Sequence, residues 1–253
     1  MPVGRGPPVP NIISIDVEEI YHAEYVRACY RGLPLPRARR AGVGARAALE
    51  LLSRTGTEAT FFLVGEVAEG DPALLEELED NGHELGFHGY GHRPLWEMGP
   101  RELRGELEAF EALVGKGCLG FRAPSFSLGL RTSWALKVLV EEGYLYDSSV
   151  FPLRTPLYGL PGAPLEPYRP CLSDPRMEDE DSPLMEFPPF VHEVLGLRVP
   201  LAGGFYLRLA PLWLLRKAIR RANSLGRPAV LYVHSWELDP GTPRLPLGDP
   251  AVS

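Results

Sequence analysis

Short apolar runs that end on ionisable residues, with amphipathic stretches between them, constrain this chain more than any other feature. Residues 11–16 and 229–234 are rich in Ile, Val and Leu, as strands buried on both faces of a parallel sheet must be. The first run closes on Asp16 and the last on His234. Further strand-like runs fall at 59–64, 84–88, 118–122, 144–148 and 184–187. Between them, residues 41–54, 72–79, 100–113, 132–142 and 211–223 place apolar residues at helical spacing. Asp71 before Pro72 supplies an N-cap, and Asn81-Gly82 a stop. Repeated β–α units with chemistry-capable residues at strand ends predict an α/β barrel, whose reactive edge is the C-terminal one.

Composition excludes several classes. With 253 residues, 45% of them hydrophobic, a sizeable core is available. The net charge is −7 and the arginines are scattered, so a nucleic-acid partner is not expected. Arg37, Arg39 and Arg40 form the one basic cluster, read as a solvated loop. Cys29, Cys118 and Cys171 show no C-x-x-C spacing, which indicates neither a zinc–cysteine site nor a disulfide framework. The N-terminus lacks the apolar region of a signal peptide. The longest apolar run, 209–215, is short and flanked by Arg208 and Arg216, so no membrane span is expected and nothing supports membrane binding. The expected location is the cytoplasm. Residues 152–183 are dense in proline and read as an extended excursion or lid within one domain spanning 11–246, with 1–10 and 247–253 as tails. Oligomeric state is not readable.

Five segments put polar residues where a predicted strand finishes. Asp16 and Glu18 are two apart and share a face while the strand lasts; one could bind metal while its neighbour acts as a base. His88 and His92 are four apart, a spacing that reaches one metal ion across a helical turn or a tight loop, and Gly89 and Gly91 favour the loop. His83-Glu84 is followed by His88 at the fifth position, so the H-E-x-x-H zinc motif is absent. His83 itself reads as a structural hydrogen-bonder. Arg122, ahead of Pro124, can hold a carboxylate in place. Asp147 ends a strand and could orient an imidazole or cap a turn. His234 closes the last run.

In order, these segments resemble the motif series of the NodB-homology polysaccharide deacetylases, carbohydrate esterase family 4. Asp16-Val-Glu-Glu19, His88-Gly-Tyr-Gly-His92, Arg122-Ala-Pro-Ser-Phe-Ser127, Tyr146-Asp-Ser-Ser149 and His234-Ser-Trp-Glu237 carry the resemblance from about residue 11 to 246. It is closest to the branch found beside exosortase and exopolysaccharide loci. The resemblance implies a distorted (β/α)7 barrel and a divalent metal, most often zinc, on His88, His92 and a carboxylate. Family members typically have a second aspartate where Val17 stands here; Glu18 is the expected third ligand, with Glu19 as the fallback. By position, Asp16 is the general base, Arg122 holds Asp16, His234 is the general acid and Asp147 orients His234. The Ser125 N–H replaces that of a common tyrosine as an oxyanion donor.

The implied reaction is removal of an N-acetyl group from N-acetylhexosamine units of a polysaccharide or its precursor. Phe126, Tyr158, Tyr168 and Trp236 are candidates to line a sugar groove. The competing expectation is hydrolysis of another carbon–nitrogen bond, such as a ureide, on the same scaffold and without metal. A catalytically silent carbohydrate-binding protein is a third reading, which the presence of all five motifs disfavours.

Overall fold

A computed structural model describes residues 9–30, 39–115 and 117–244; Arg37 and most of both tails lie outside them. The chain runs β1 (Ile12–Val17), α1 (Glu24–Cys29), α2 (Ala41–Thr55), β2 (Thr60–Leu63), α3 (Gly65–Gly70), α4 (Pro72–Asp80), β3 (Glu84–Phe87), α5 (Pro100–Val114), β4 (Gly120–Phe121), α6 (Trp134–Glu141) and β5 (Tyr146–Asp147). The hairpin of β6 (Pro170–Cys171) and β7 (Asp174–Glu178) follows, then β8 (Met185–Glu186). A second hairpin, β9 (Val191–Val194) with β10 (Leu197–Pro200), leads to α7 (Gly204–Leu209), α8 (Leu212–Asn223) and β11 (Val230–His234).

Seven strands make one parallel sheet in the order β11-β1-β2-β3-β4-β5-β8. The sheet curls into an open-sided barrel. Its gap is bridged just beyond β8, where the Phe190 N–H donates to the Val230 carbonyl at 2.8 Å. Alternation along β1 and β2 explains the two environments of the sheet. Ile15, Val17, Phe61 and Leu63 point outward into a core shared with Leu52, Leu78, Phe110 and Leu139 of the helices. Ser14 and Asp16 share the other face of β1, and Ser14 and Phe62 meet Arg122 there. The two-sided apolar strand expected at 11–16 therefore turns polar on its inner face at Ser14 and Asp16.

The predicted helices stand within two residues of their expected ends. Asp71 occupies the position before α4, but its carboxylate pairs with Arg46 at 2.7 Å instead of capping. The proline-dense stretch is more structured than expected. It carries the β6–β7 hairpin, and Leu160 and Ala163 join the main core. Helix α2 approaches the residues after β11 so closely that a Cβ on Gly44 would stand 1.9 Å from the Ser235 carbonyl oxygen.

Candidate active site

Registry places the ends of the chain side by side: Asp16 on β1 lies opposite His234 on β11. Both strands are parallel, so their C-terminal ends open on the same edge of the barrel, where β3 delivers His88. The segment 88–92 is a tight loop, with Gly89 at φ 74° and His92 at φ 52°. A side chain on Gly89 would also meet Pro124, 2.7 Å from its Cβ. The loop turns His92 back onto His88, with ring centroids 4.9 Å apart.

Glu18, His88 and His92 are buried and offer ligand atoms within 4.8 Å of one another. Glu18 Oε2 lies 2.6 Å from His92 Nε2 and 4.0 Å from His88 Nε2. That oxygen makes no aligned hydrogen bond among the described residues despite its burial. A buried carboxylate oxygen left in this state is costly unless a cation meets it. His88 Nδ1 stands 2.7 Å from the Arg122 carbonyl oxygen, which leaves the Nε2 lone pair to face Glu18, the outer-shell arrangement common to metal-bound histidines. Burial pushes the His88 imidazole down to about 4, keeping it neutral. Burial also favours the neutral form of Glu18, but the facing His92, with His234 and His88 behind it, holds this carboxyl well below the usual range. The donor set of one carboxylate and two imidazoles fits a divalent cation of the zinc type.

Glu18 is held from the opposite wall. Trp236 Nε1 donates to Oε1 at 3.1 Å, and Ser235 Oγ donates to the Glu18 carbonyl at 3.0 Å. Trp236 also stacks on His234, with centroids 4.9 Å apart. It contacts Glu18 and His234 and is not among the residues that line the cavity. The fallback ligand Glu19 is committed elsewhere: its carboxylate accepts from the N–H groups of Arg40 and Ala41 and caps α2. Arg40 itself pairs with Asp239 at 2.6 Å, so it is not a free surface cation.

Asp16 sits on one side of this cluster. Its Oδ1 accepts from Arg122 Nη1 at 2.6 Å, and its Oδ2 is 4.0 Å from His88 Nε2. Arg122 is fully buried yet satisfied: Nη1 also donates to Ser14 Oγ, Nε to the Ser148 carbonyl and Nη2 to Ser148 Oγ. His234 stands on the other side, Nε2 3.8 Å from Glu18 Oε1. Its Nδ1 meets Glu237 Oε2 at 3.0 Å. Burial pulls this imidazole down, but Glu237, Glu18 and Asp16 outweigh it and raise the group to about 9, so it is protonated at neutral pH.

Asp147 does not orient His234. Its Oδ1 accepts from Ser149 Oγ, and burial raises it beside Glu186, whose carboxyl is pushed well above the ordinary range. In the sheet order β5 and β11 are not neighbours, and no hydrogen bond or ion pair links Asp147 to His234 among the described residues. Glu237 takes that place. It lies three residues beyond His234 within the quoted His234-Ser-Trp-Glu237 segment, a spacing that could have revealed it. Glu237 is in turn paired with Arg208 of α7.

A cavity of about 640 Å³ opens over Asp16, Glu18, His88, His92 and His234. Its walls include Ser125, Phe126, Pro156, Tyr158, Phe205, Tyr206 and Tyr232. Ser125 and Phe126 hold left-handed φ values of 55° and 46°. No hydrogen bond takes up the Ser125 N–H among the described residues. Tyr168 is absent from the lining; it is buried and its hydroxyl donates to the Pro175 carbonyl. His83 accepts from the Ala59 N–H at 3.3 Å, a structural role.

Residues 42–143 match the family model named Polysaccharide deacetylase, and residues 148–251 match a domain of unknown function, DUF3473. A "Peptidoglycan deacetylase-like protein" of Gibberella zeae is 33% identical over 136 residues, 51% of this chain and 39% of that protein. A "Peptidoglycan deacetylase" of Helicobacter pylori is 30% identical over 112 residues, 43% of this chain and 37% of its own length. This chain thus spans about two-fifths of either relative. A solved Mycobacterium smegmatis structure assigned to the polysaccharide deacetylases superposes with a TM-score of 0.59 at 23% identity, covering 91% of this chain and 79% of its own, which establishes a common fold. The likeness to the polysaccharide deacetylases thus rests on part of the chain, residues 42–143. The seven-stranded sheet draws β2, β3 and β4 from the first matched segment and β8 and β11 from the second, with β1 and β5 outside both.

Proposed function

We propose that this chain is a metal-dependent hydrolase that removes N-acetyl groups from N-acetylhexosamine units. The substrate we favour is an exopolysaccharide or its precursor met in the cytoplasm, in keeping with the exosortase-associated branch, and residues 11–246 act as one catalytic unit. The observation that carries this reading is the buried Glu18–His88–His92 cluster, with Asp16 on one side and His234 on the other.

Glu18, His88 and His92 would hold a divalent metal, with zinc the first choice, and it would supply Lewis acidity toward water and the acetyl carbonyl. Asp16 keeps Oδ1 on Arg122, leaving Oδ2 to take a proton from the attacking water. Ser125 lines the cavity, and its N–H, which no hydrogen bond takes up among the described residues, would serve as a donor for the oxyanion. His234, held protonated by Glu237, gives its proton to the amine as the carbon–nitrogen bond breaks. Water thus divides between acetate and the free amine. Phe126, Tyr158 and Tyr232 supply flat apolar walls for the sugar ring.

The test is acetate release from N-acetylglucosamine oligomers by the purified chain, before and after chelation and after zinc is restored. Asp16→Asn and His234→Ala are each expected to lower turnover by about a hundredfold or more while bound zinc, counted by atomic emission, is unchanged. Wild-type rates in either variant, or turnover indifferent to chelation, would overturn the assignment.

A further inference from the structure

Helices α7 and α8 carry a surface that a water-exposed face does not require. Phe205 and Leu209, one turn apart on α7, are 62% and 68% exposed, and Leu212 and Trp213 in the first turn of α8 are 58% and 67% exposed. Single exposed apolar residues are ordinary, but here four large ones fall between positions 205 and 213. The two helical rows that continue from Leu212 and Trp213 are cationic: Arg216 and Arg220 on one, Lys217 and Arg221 on the other, all exposed. Helix α8 contains no acidic residue, in a chain whose net charge is −7, and none of these four cations pairs with a carboxylate among the described residues.

We propose that this face docks on the surface of an anionic lipid bilayer. Large apolar side chains at one end of a helix and unpaired cations along the next turns match the headgroup boundary, where apolar groups enter the acyl region and long basic side chains lie on lipid phosphates. Charge complementarity selects this occupant, because a second copy docked face to face would oppose the same cations. The run at 209–215 is too short to cross a bilayer, and no helix among the described residues is long and apolar enough to do so; this is a surface contact. Phe205 also lines the cavity of the candidate active site. A docked molecule therefore holds that cavity at the lipid–water boundary, where a saccharide carried on a lipid phosphate is presented.

Vesicle flotation tests the docking without any turnover, so its outcome is separate from that of the catalytic reading. The chain is expected to float with phosphatidylglycerol vesicles, to remain behind with phosphatidylcholine vesicles, and to be released by high salt. Leu209→Ser with Trp213→Ser, and independently Arg216→Glu with Arg220→Glu, are each expected to cut the bound fraction by more than about tenfold. Failure of the unaltered chain to float with anionic vesicles, or flotation of either double variant undiminished from that of the unaltered chain, would overturn the proposal. So would a dimer in light scattering that the Leu209→Ser, Trp213→Ser variant abolishes.

Discussion

Removing Arg122 is expected to destabilise the fold mainly by stranding Asp16, and a double-mutant cycle isolates that contribution. The guanidinium is completely buried and Asp16 is 1% exposed, with 2.6 Å between Nη1 and Oδ1. In Arg122→Met the methionine recovers part of the packing against Phe62, which lies 4.2 Å below the guanidinium, but nothing replaces the charge. Breaking a buried pair from one side costs about 3–5 kcal/mol. For a chain of this size that corresponds to a fall of roughly 6–20 °C in melting temperature. Asp16→Asn alone leaves the cation buried and is expected to cost a similar amount. The double variant Asp16→Asn, Arg122→Met has no charge to strand, so its loss should fall short of the sum of the single losses by at least about 2 kcal/mol. Urea unfolding of the four proteins at one pH supplies the cycle. Additivity within about 0.5 kcal/mol would refute the reasoning and reduce Arg122 to a packing residue.

Three further outcomes follow from the same geometry. Glu18→Ala should abolish zinc binding measured by calorimetry, whereas Glu19→Ala should leave it intact and cost about 0.5–2 kcal/mol of stability through the lost α2 cap; the reverse pattern would exchange the two roles. Glu237→Gln removes the partner that orients His234, and should lower kcat by more than about tenfold with little change in KM; an unaltered kcat counts against the assignment. The Glu186 carboxyl is raised well above its ordinary value by burial and by Asp147, so its contribution to stability is present below about pH 4.5 and is lost as pH rises through its folded value. Glu186→Gln, which keeps an acceptor for the Val150 N–H, should therefore raise the melting temperature at neutral pH more than at pH 4; no difference between the two pH values would contradict the shared burial of the pair.

The barrel was legible because a parallel strand must be apolar and a covering helix must be amphipathic, and both periods survive in 11–16, 59–64 and 100–113. The strand-end residues were legible too, since Asp16, His88, Arg122 and His234 have no packing reason to close such runs. What could not be read was which strand ends become neighbours. Asp147 occupies a strand end as His234 does, but adjacency depends on sheet order, in which β5 and β11 are not neighbours. Trp236 reads as a sugar platform by residue type alone, and nothing in the sequence shows that its indole N–H instead approaches Glu18 at 3.1 Å. The β9–β10 hairpin and α7 escaped because Val194, Leu197, Val199, Phe205 and Leu209 face solvent, where hydrophobicity carries no periodic core signal.

Pairing of β1 with β11 has a consequence for how the molecule comes into being. Asp16 and His234 stand opposite each other in adjacent strands, although more than two hundred positions separate them along the polypeptide. A nascent chain emerging from the ribosome can stack its middle β–α units early, but its first strand must wait, one flank uncovered, for the last to be synthesised. Closure of the barrel and completion of the site are then one event, so a polypeptide that stalls before β11 presents an exposed edge in place of a pocket.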